Sequence, residues 1–292
     1  MSGRGASTAL VLLLLLAAVP LAAGGPEASF TIDVSDWRPA QGEPVFVTVV
    51  PSPPADDVTL VWKGLSVPTR NEGPGRFRGV VGVDLLDPPG TARLEILAER
   101  GGERRRIALD LDVVEKTFPT QALRLPREMA EFDAATLARI EDEGNRMERI
   151  LSRVSSVPVW DLPFVPPVDP FVAGRFGARR MINGEPRAPH AGVDVKAPEG
   201  APVVAAAAGT VVFAGEQFFG GKSVVIDHGG GLFTVYFHLR DMAVSEGAGV
   251  ARGERIGSVG ATGRAEGPHL HFGVRAAGGR VDPAPFFGPT IR

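Results

Sequence analysis

Apolar residues in this chain recur at every second position, in runs too short for a helix. Val45, Val47 and Val49 alternate with their neighbours. Leu94, Ile96 and Ala98 alternate with Arg93, Glu95 and Leu97. Ile107, Leu109, Leu111 and Val113 alternate with Ala108, Asp110, Asp112 and Val114. A period of two buries one face of a strand and wets the other. Turn-forming clusters separate the runs: Pro51–Pro54, Gly73-Pro74-Gly75, Asp87–Gly90 and Gly101-Gly102. With 37 Gly and 26 Pro in 292 residues, a mainly β chain with many short strands is the expectation.

The pattern divides the chain. Arg4, the apolar run Ala9–Val19, Pro20 and the small residues Leu21-Ala22-Ala23-Gly24 read as a signal peptide over residues 1–24. The run is short for a membrane span, so the mature chain is expected to be exported, to the periplasm or cell envelope or further into the medium, without stable membrane insertion. Residues 27–116 predict an immunoglobulin-like β-sandwich without His. Residues 117–170 predict a helical and Pro-rich linker. In it Asp133 is an N-cap, and Leu137, Ile140, Met147, Ile150 and Leu151 recur at helical spacing. Gly144 falls on that face and marks either a weaker helix or a close contact. Pro158, Pro163, Pro166, Pro167 and Pro170 then stop any helix. Residues 171–292 return to short β runs, here in an antiparallel domain that holds every His of the chain.

Composition narrows the chemistry. No Cys means no disulfide, no thiolate metal site, no cysteine nucleophile and no lipid-bearing cysteine after the apolar run. A formal charge of −3, from 31 basic and 34 acidic residues, argues against coating nucleic acid. Any metal must use His, Asp or Glu.

The five His fall into a pattern. His190-Ala191-Gly192-Val193-Asp194 suits an extended or looped segment, which can present His190 and Asp194 on one side. In His269-Leu270-His271-Phe272-Gly273-Val274 a strand points both imidazoles one way and Leu270, Phe272 and Val274 the other. Along Leu232–Leu239, alternation groups Thr234, Tyr236 and His238 on one face and Phe233, Val235, Phe237 and Leu239 on the other. His228, beside Gly229-Gly230-Gly231, reads as a structural residue at a strand end. Two His and one carboxylate make an ordinary three-ligand zinc site with water as the fourth ligand, and spare imidazoles remain to handle protons. The helical H-E-x-x-H motif is absent.

At these residues the chain resembles the lysostaphin-type zinc endopeptidases, which cleave bacterial peptidoglycan. The resemblance covers roughly residues 174–287. It is carried by Gly174-Arg175-Phe176-Gly177, His190 to Asp194, Tyr236-Phe237-His238-Leu239, Gly260-Ala261-Thr262-Gly263-Arg264, Gly267-Pro268-His269-Leu270-His271-Phe272 and Val281-Asp282-Pro283. It implies an antiparallel β core crossed by a groove, and one Zn2+ held by His190, Asp194 and His271. His269 and His238 are its implied catalytic partners, and peptidoglycan peptides its implied substrate.

Four further residues are candidates for contact with substrate. Tyr236 either reaches the site or packs. Arg180 and Asn183, with Arg179, precede the first ligand, and Arg264 lies before His269; an Arg there can pair with stem-peptide carboxylates or be a solvated charge. The competing reading is a non-enzymatic envelope protein that binds peptidoglycan or activates another wall hydrolase; the intact set of five residues disfavours it. A carrier module would need an acceptor Lys, and Lys222, the nearest candidate, has unsuitable neighbours.

Overall fold

The computed structural model describes residues 12–15, 29–124, 131–155 and 158–288. Its mainly β character is what the alternation predicts. Nine strands form the N-terminal part: β1 (Leu12–Leu15), β2 (Ser29–Val34), β3 (Pro44–Ser52), β4 (Asp57–Trp62), β5 (Leu65–Pro68), β6 (Arg70–Gly73), β7 (Arg76–Gly82), β8 (Gly90–Arg100) and β9 (Glu103–Val113). They make two sheets, ordered β1-β2-β3-β7-β6 and β5-β4-β8-β9, which close on one core around Trp62, Phe77, Leu60 and Ile96. The expected signal peptide lies outside the described residues except for β1, which pairs antiparallel with β2.

Strand β10 (Thr120–Leu123) follows the sandwich and pairs in parallel with β11 (Arg179–Ile182), which turns into β12 (Glu185–Arg187). Helix α1 (Ala134–Leu151) starts where predicted, with the Asp133 carboxylate accepting from Thr136 N–H at 2.8 Å. Ile150 and Leu151 pack against Phe213, Val225, Phe233 and Val235, so the helix covers one face of the C-terminal sheet. A Cβ on Gly144 would meet nothing within 4 Å, so the close-contact alternative for it fails. Among the described residues no helix is long and apolar enough to cross a membrane.

The C-terminal sheet contains β13 (Val193–Lys196), β14 (Pro202–Val204), β15 (Gly209–Gln217), β16 (Gly221–Asp227), β17 (Leu232–Met242), β18 (Gly249–Val250), β19 (Arg255–Val259), β20 (His269–Ala276) and β21 (Gly279–Val281). A short 3-10 turn, Ala284–Phe287, follows. The main order is β13-β20-β17-β16-β15-β18, with β14 and β19 paired beside it.

The Pro-rich stretch does not stand between domains as a linker. Trp160, Phe164 and Val168 are buried in the same core as Phe272, Tyr236 and Phe286. Its backbone is bonded to the C-terminal domain, with Phe164 N–H donating to Phe286 O and Val165 N–H to Ala206 O. The sandwich joins this core through Val80 and Leu85, and Phe118, just after it, packs there too. Asp84 accepts from the Arg280 backbone N–H and twice from its guanidinium, at 2.5–2.8 Å. Gly82 abuts the far end of β20 at Ala276, five residues along the strand from His271.

Candidate metal centre

The register of three strands assembles the site. Asp194 on β13 lies directly opposite His271 on β20, and Phe237 on β17 lies opposite His271 from the other side. Residues paired in this way share a face of the sheet. The neighbouring row, Val193, Phe272 and Tyr236, therefore faces the core. His190 sits in the loop before β13. Its N–H donates to Ala178 O and its carbonyl accepts from Gly177 N–H, both at 2.9 Å, while Gly174 N–H donates to Asp194 O. The Gly174-Arg175-Phe176-Gly177 segment is thus a backbone clamp on two of the site residues.

His190 Nε2, Asp194 Oδ1 and His271 Nδ1 form a triangle with sides of 2.9, 3.0 and 2.9 Å. Three acceptor-bearing atoms this close suit one shared cation, whose N and O ligands stand about 2.0–2.2 Å from the metal. The donor set is that of zinc chemistry, and these residues fit it. Burial pushes the Asp194 carboxyl up, but hydrogen bonds from His190 and His271 outweigh it and hold Asp194 well below the usual carboxylate range. Burial pushes His271 down. The His271 imidazole is therefore biased toward the neutral, metal-binding form.

Two more imidazoles adjoin the triangle. His269 Nε2 is 3.8 Å from Asp194 Oδ1, and the His238 and His269 rings stand 4.7 Å apart. Each ring is fixed by a main-chain carbonyl: His238 Nδ1–H donates to Thr262 O and His269 Nδ1–H to Gly267 O, both at 2.8 Å. A proton held at Nδ1 leaves the Nε2 lone pair free to accept. Burial pushes His238 down to about 4, so it is neutral at physiological pH.

His238 reaches this face by breaking the alternation. Val224 pairs with Tyr236 and Lys222 with Leu239, so two residues of β17, Phe237 and His238, oppose one residue of β16. The bulge puts His238 in the left-handed region, with φ of 63°. This corrects the sequence grouping of Thr234, Tyr236 and His238. Tyr236 is not a substrate contact: it is fully buried, its hydroxyl accepting from Ala206 N–H and bonded to Thr234 Oγ1. Thr234 bonds in turn to His228 Nε2, whose Nδ1–H donates to Ala208 O, so His228 is structural.

The remaining candidates separate. Arg180 approaches Asp194, with Nη2 3.9 Å from Oδ2. Arg264 lies over the Phe219 ring, its guanidinium carbon 4.0 Å from the ring centroid. Asn183, with φ of 52°, takes its place with Gly184 at the β11–β12 turn, as an Asn-Gly hairpin does. Exposed Arg179 donates its N–H to Pro119 O.

Sequence reasoning missed Phe237, which stacks on the His271 ring at 5.4 Å and 14° and steadies it. Simple alternation assigns it to the oily face. It also understated Gly192: a Cβ there would lie 2.5 Å from Phe272 O and 2.8 Å from His271 Nε2. Glycine lets the loop pass close behind that imidazole.

The stretch that carries this site is similar to known proteins. The profile of peptidase family M23 matches residues 188–283. A crystal structure from Pseudomonas aeruginosa, of a protein assigned to peptidase M23, is 30% identical. The match covers 86% of this chain and 95% of that one, with a TM-score of 0.65. DD-carboxypeptidase/endopeptidase Mpg of Neisseria meningitidis is 45% identical over 101 residues, which are 35% of this chain and 23% of that protein. Peptidoglycan DD-endopeptidase ShyA of Vibrio cholerae is 40% identical over 112 residues, 38% of this chain and 26% of that protein. The shared stretch thus spans about a quarter of these curated relatives.

Proposed function

The chain belongs to peptidase family M23, and from that premise we propose that it is a zinc-dependent endopeptidase hydrolysing peptide bonds in the stem or cross-link peptides of bacterial peptidoglycan. The observation that carries this reading is the triangle of His190, Asp194 and His271 with two carbonyl-anchored imidazoles beside it. The names of the Neisseria and Vibrio relatives support the substrate. The apolar run Ala9–Val19 supports export, with the periplasm or cell envelope as the place of work.

His190, Asp194 and His271 would hold the Zn2+, which when bound lowers the pKa of its water toward about 7 and polarises an amide carbonyl. Asp194 is the one anionic member, so the centre keeps positive charge. His269 and His238 are the proton handlers. One accepts the water proton at its free Nε2, and the other hydrogen-bonds the oxyanion that develops on the substrate carbonyl. The accepted proton then passes from the imidazole to the leaving amine. The Nδ1–H bonds to Thr262 and Gly267 keep both rings in the tautomer this requires.

Digestion of purified sacculi tests the reading. Soluble muropeptides, identified by mass spectrometry, are expected without chelator, are absent with it and return on adding zinc. Sacculi left intact with zinc present contradict it.

A further inference from the structure

Arg180 stands beside the metal position, and Arg187 and Arg264 lie close enough to it for the three charges to act on one another. Arg180 and Arg187 are directly opposite on β11 and β12, so their side chains leave one face of the hairpin, an arrangement that disfavours pairing. Arg180 Nε is buried with no hydrogen-bond partner, and the 3.9 Å from its Nη2 to Asp194 is too long for a hydrogen bond. Arg264 is held over Phe219 from the loop before His269. Burial first, then the charges of Arg180 and Arg187, push the Arg264 guanidinium below its ordinary value. Asp194 approaches Arg180 at 3.9 Å, and the metal reading gives its charge to the cation.

A scissile amide brings no charge, so the balancing anion must come from elsewhere on the substrate. A guanidinium fork suits a carboxylate, which it can bind through two parallel hydrogen bonds. We propose that Arg180, Arg187 and Arg264 form a carboxylate-binding subsite, and that the preferred substrates carry a free carboxylate on a residue flanking the scissile amide. This deepens the peptidase reading and rests on it. Arg180 and Arg187 precede residues 188–283, so the subsite is largely built outside the stretch matched by the family.

The test uses twin peptidoglycan cross-link peptides that differ only in a free carboxylate or a carboxamide beside the scissile bond. Binding is measured by calorimetry on the zinc-loaded full chain carrying His269→Ala, and turnover on the unsubstituted chain. The acid twin should bind about tenfold to a hundredfold more tightly, and the same ratio should appear in KM rather than kcat. Arg264→Gln and Arg180→Gln, each with an unchanged melting curve, should move the ratio toward one. Twins that bind and turn over alike, or a ratio that survives both substitutions, overturn the subsite and leave the peptidase standing. Twins that are neither bound nor cut overturn both.

Discussion

The β8–β9 hairpin of the sandwich and the β17–β20 pair of the site domain have similar strand chemistry and opposite discipline. In β9 buried and exposed residues alternate without a break from Ile107 to Val113. Its outer face pairs its charges: Arg104 with Glu99, Arg106 with Glu95 and Asp110 with Arg93 on β8, and Asp112 with Arg38. In β17 the alternation fails at Phe237–His238, and the arginines nearby lack matching carboxylates. A strand that only covers a core can obey its period. A strand that must also aim an imidazole at a neighbour spends stability on a bulge and on left-handed backbone.

The contrast can be broken at its tightest point first. Gly192→Ala pushes a methyl into Phe272 O and His271 Nε2. We expect at least about 3 kcal/mol of lost stability, or loss of zinc with the fold retained, read by thermal melting and metal content. A Gly-to-Ala change in the sandwich turn at Gly101, where nothing lies within 4 Å, removes no packing and tests only its positive φ.

The buried chain His228–Thr234–Tyr236 gives the next effect. Burial pushes His228 down to about 4, against an ordinary value of 6.5. Between these values the unfolded chain binds the extra proton, so stability is full above pH 6.5 and falls as pH drops toward 4. The loss over that window is about 3 kcal/mol. Chemical denaturation of His228→Gln across the same range should show a flatter profile; an unchanged slope would remove the role.

Charge pairs sharpen the comparison further. Asp84→Ala strips three hydrogen bonds from half-buried Arg280 at the seam between the two parts and should cost about 2 kcal/mol. Arg104→Ala breaks an exposed pair on the sandwich and should stay within about 0.5 kcal/mol. Equal effects would erase the distinction. The last change is a gain: Gly144→Ala on the exposed side of α1 meets open space and should add about 0.5–1 kcal/mol in the same melts.

Much of the architecture was legible because periodicity reports burial. The sandwich strands, the N-cap at Asp133 and the His269/His271 strand all follow from one-dimensional pattern. His190, Asp194 and His271, which the structure brings together, stood out as candidates because His is scarce here, while their division from His238 and His269 into metal holders and proton handlers came only from the family resemblance. What was hidden depends on pairing between distant segments. The bulge at His238, the stacking of Phe237 on His271 and the burial of Tyr236 appear only once β16 and β20 are set beside β17. The Pro-rich stretch misled because proline marks the end of a helix but not whether the chain beyond it is packed; Trp160 and Phe164 were the signal that it is.

Zinc content of the purified chain and two variants tests the central claim most directly. Elemental analysis should find close to one zinc per unsubstituted chain and per His269→Ala chain, and almost none per His190→Ala chain with its fold intact. Only the unsubstituted chain should release fragments from sacculi. Full zinc occupancy in His190→Ala, or undiminished hydrolysis by His269→Ala, would contradict the division of these imidazoles into metal holders and proton handlers.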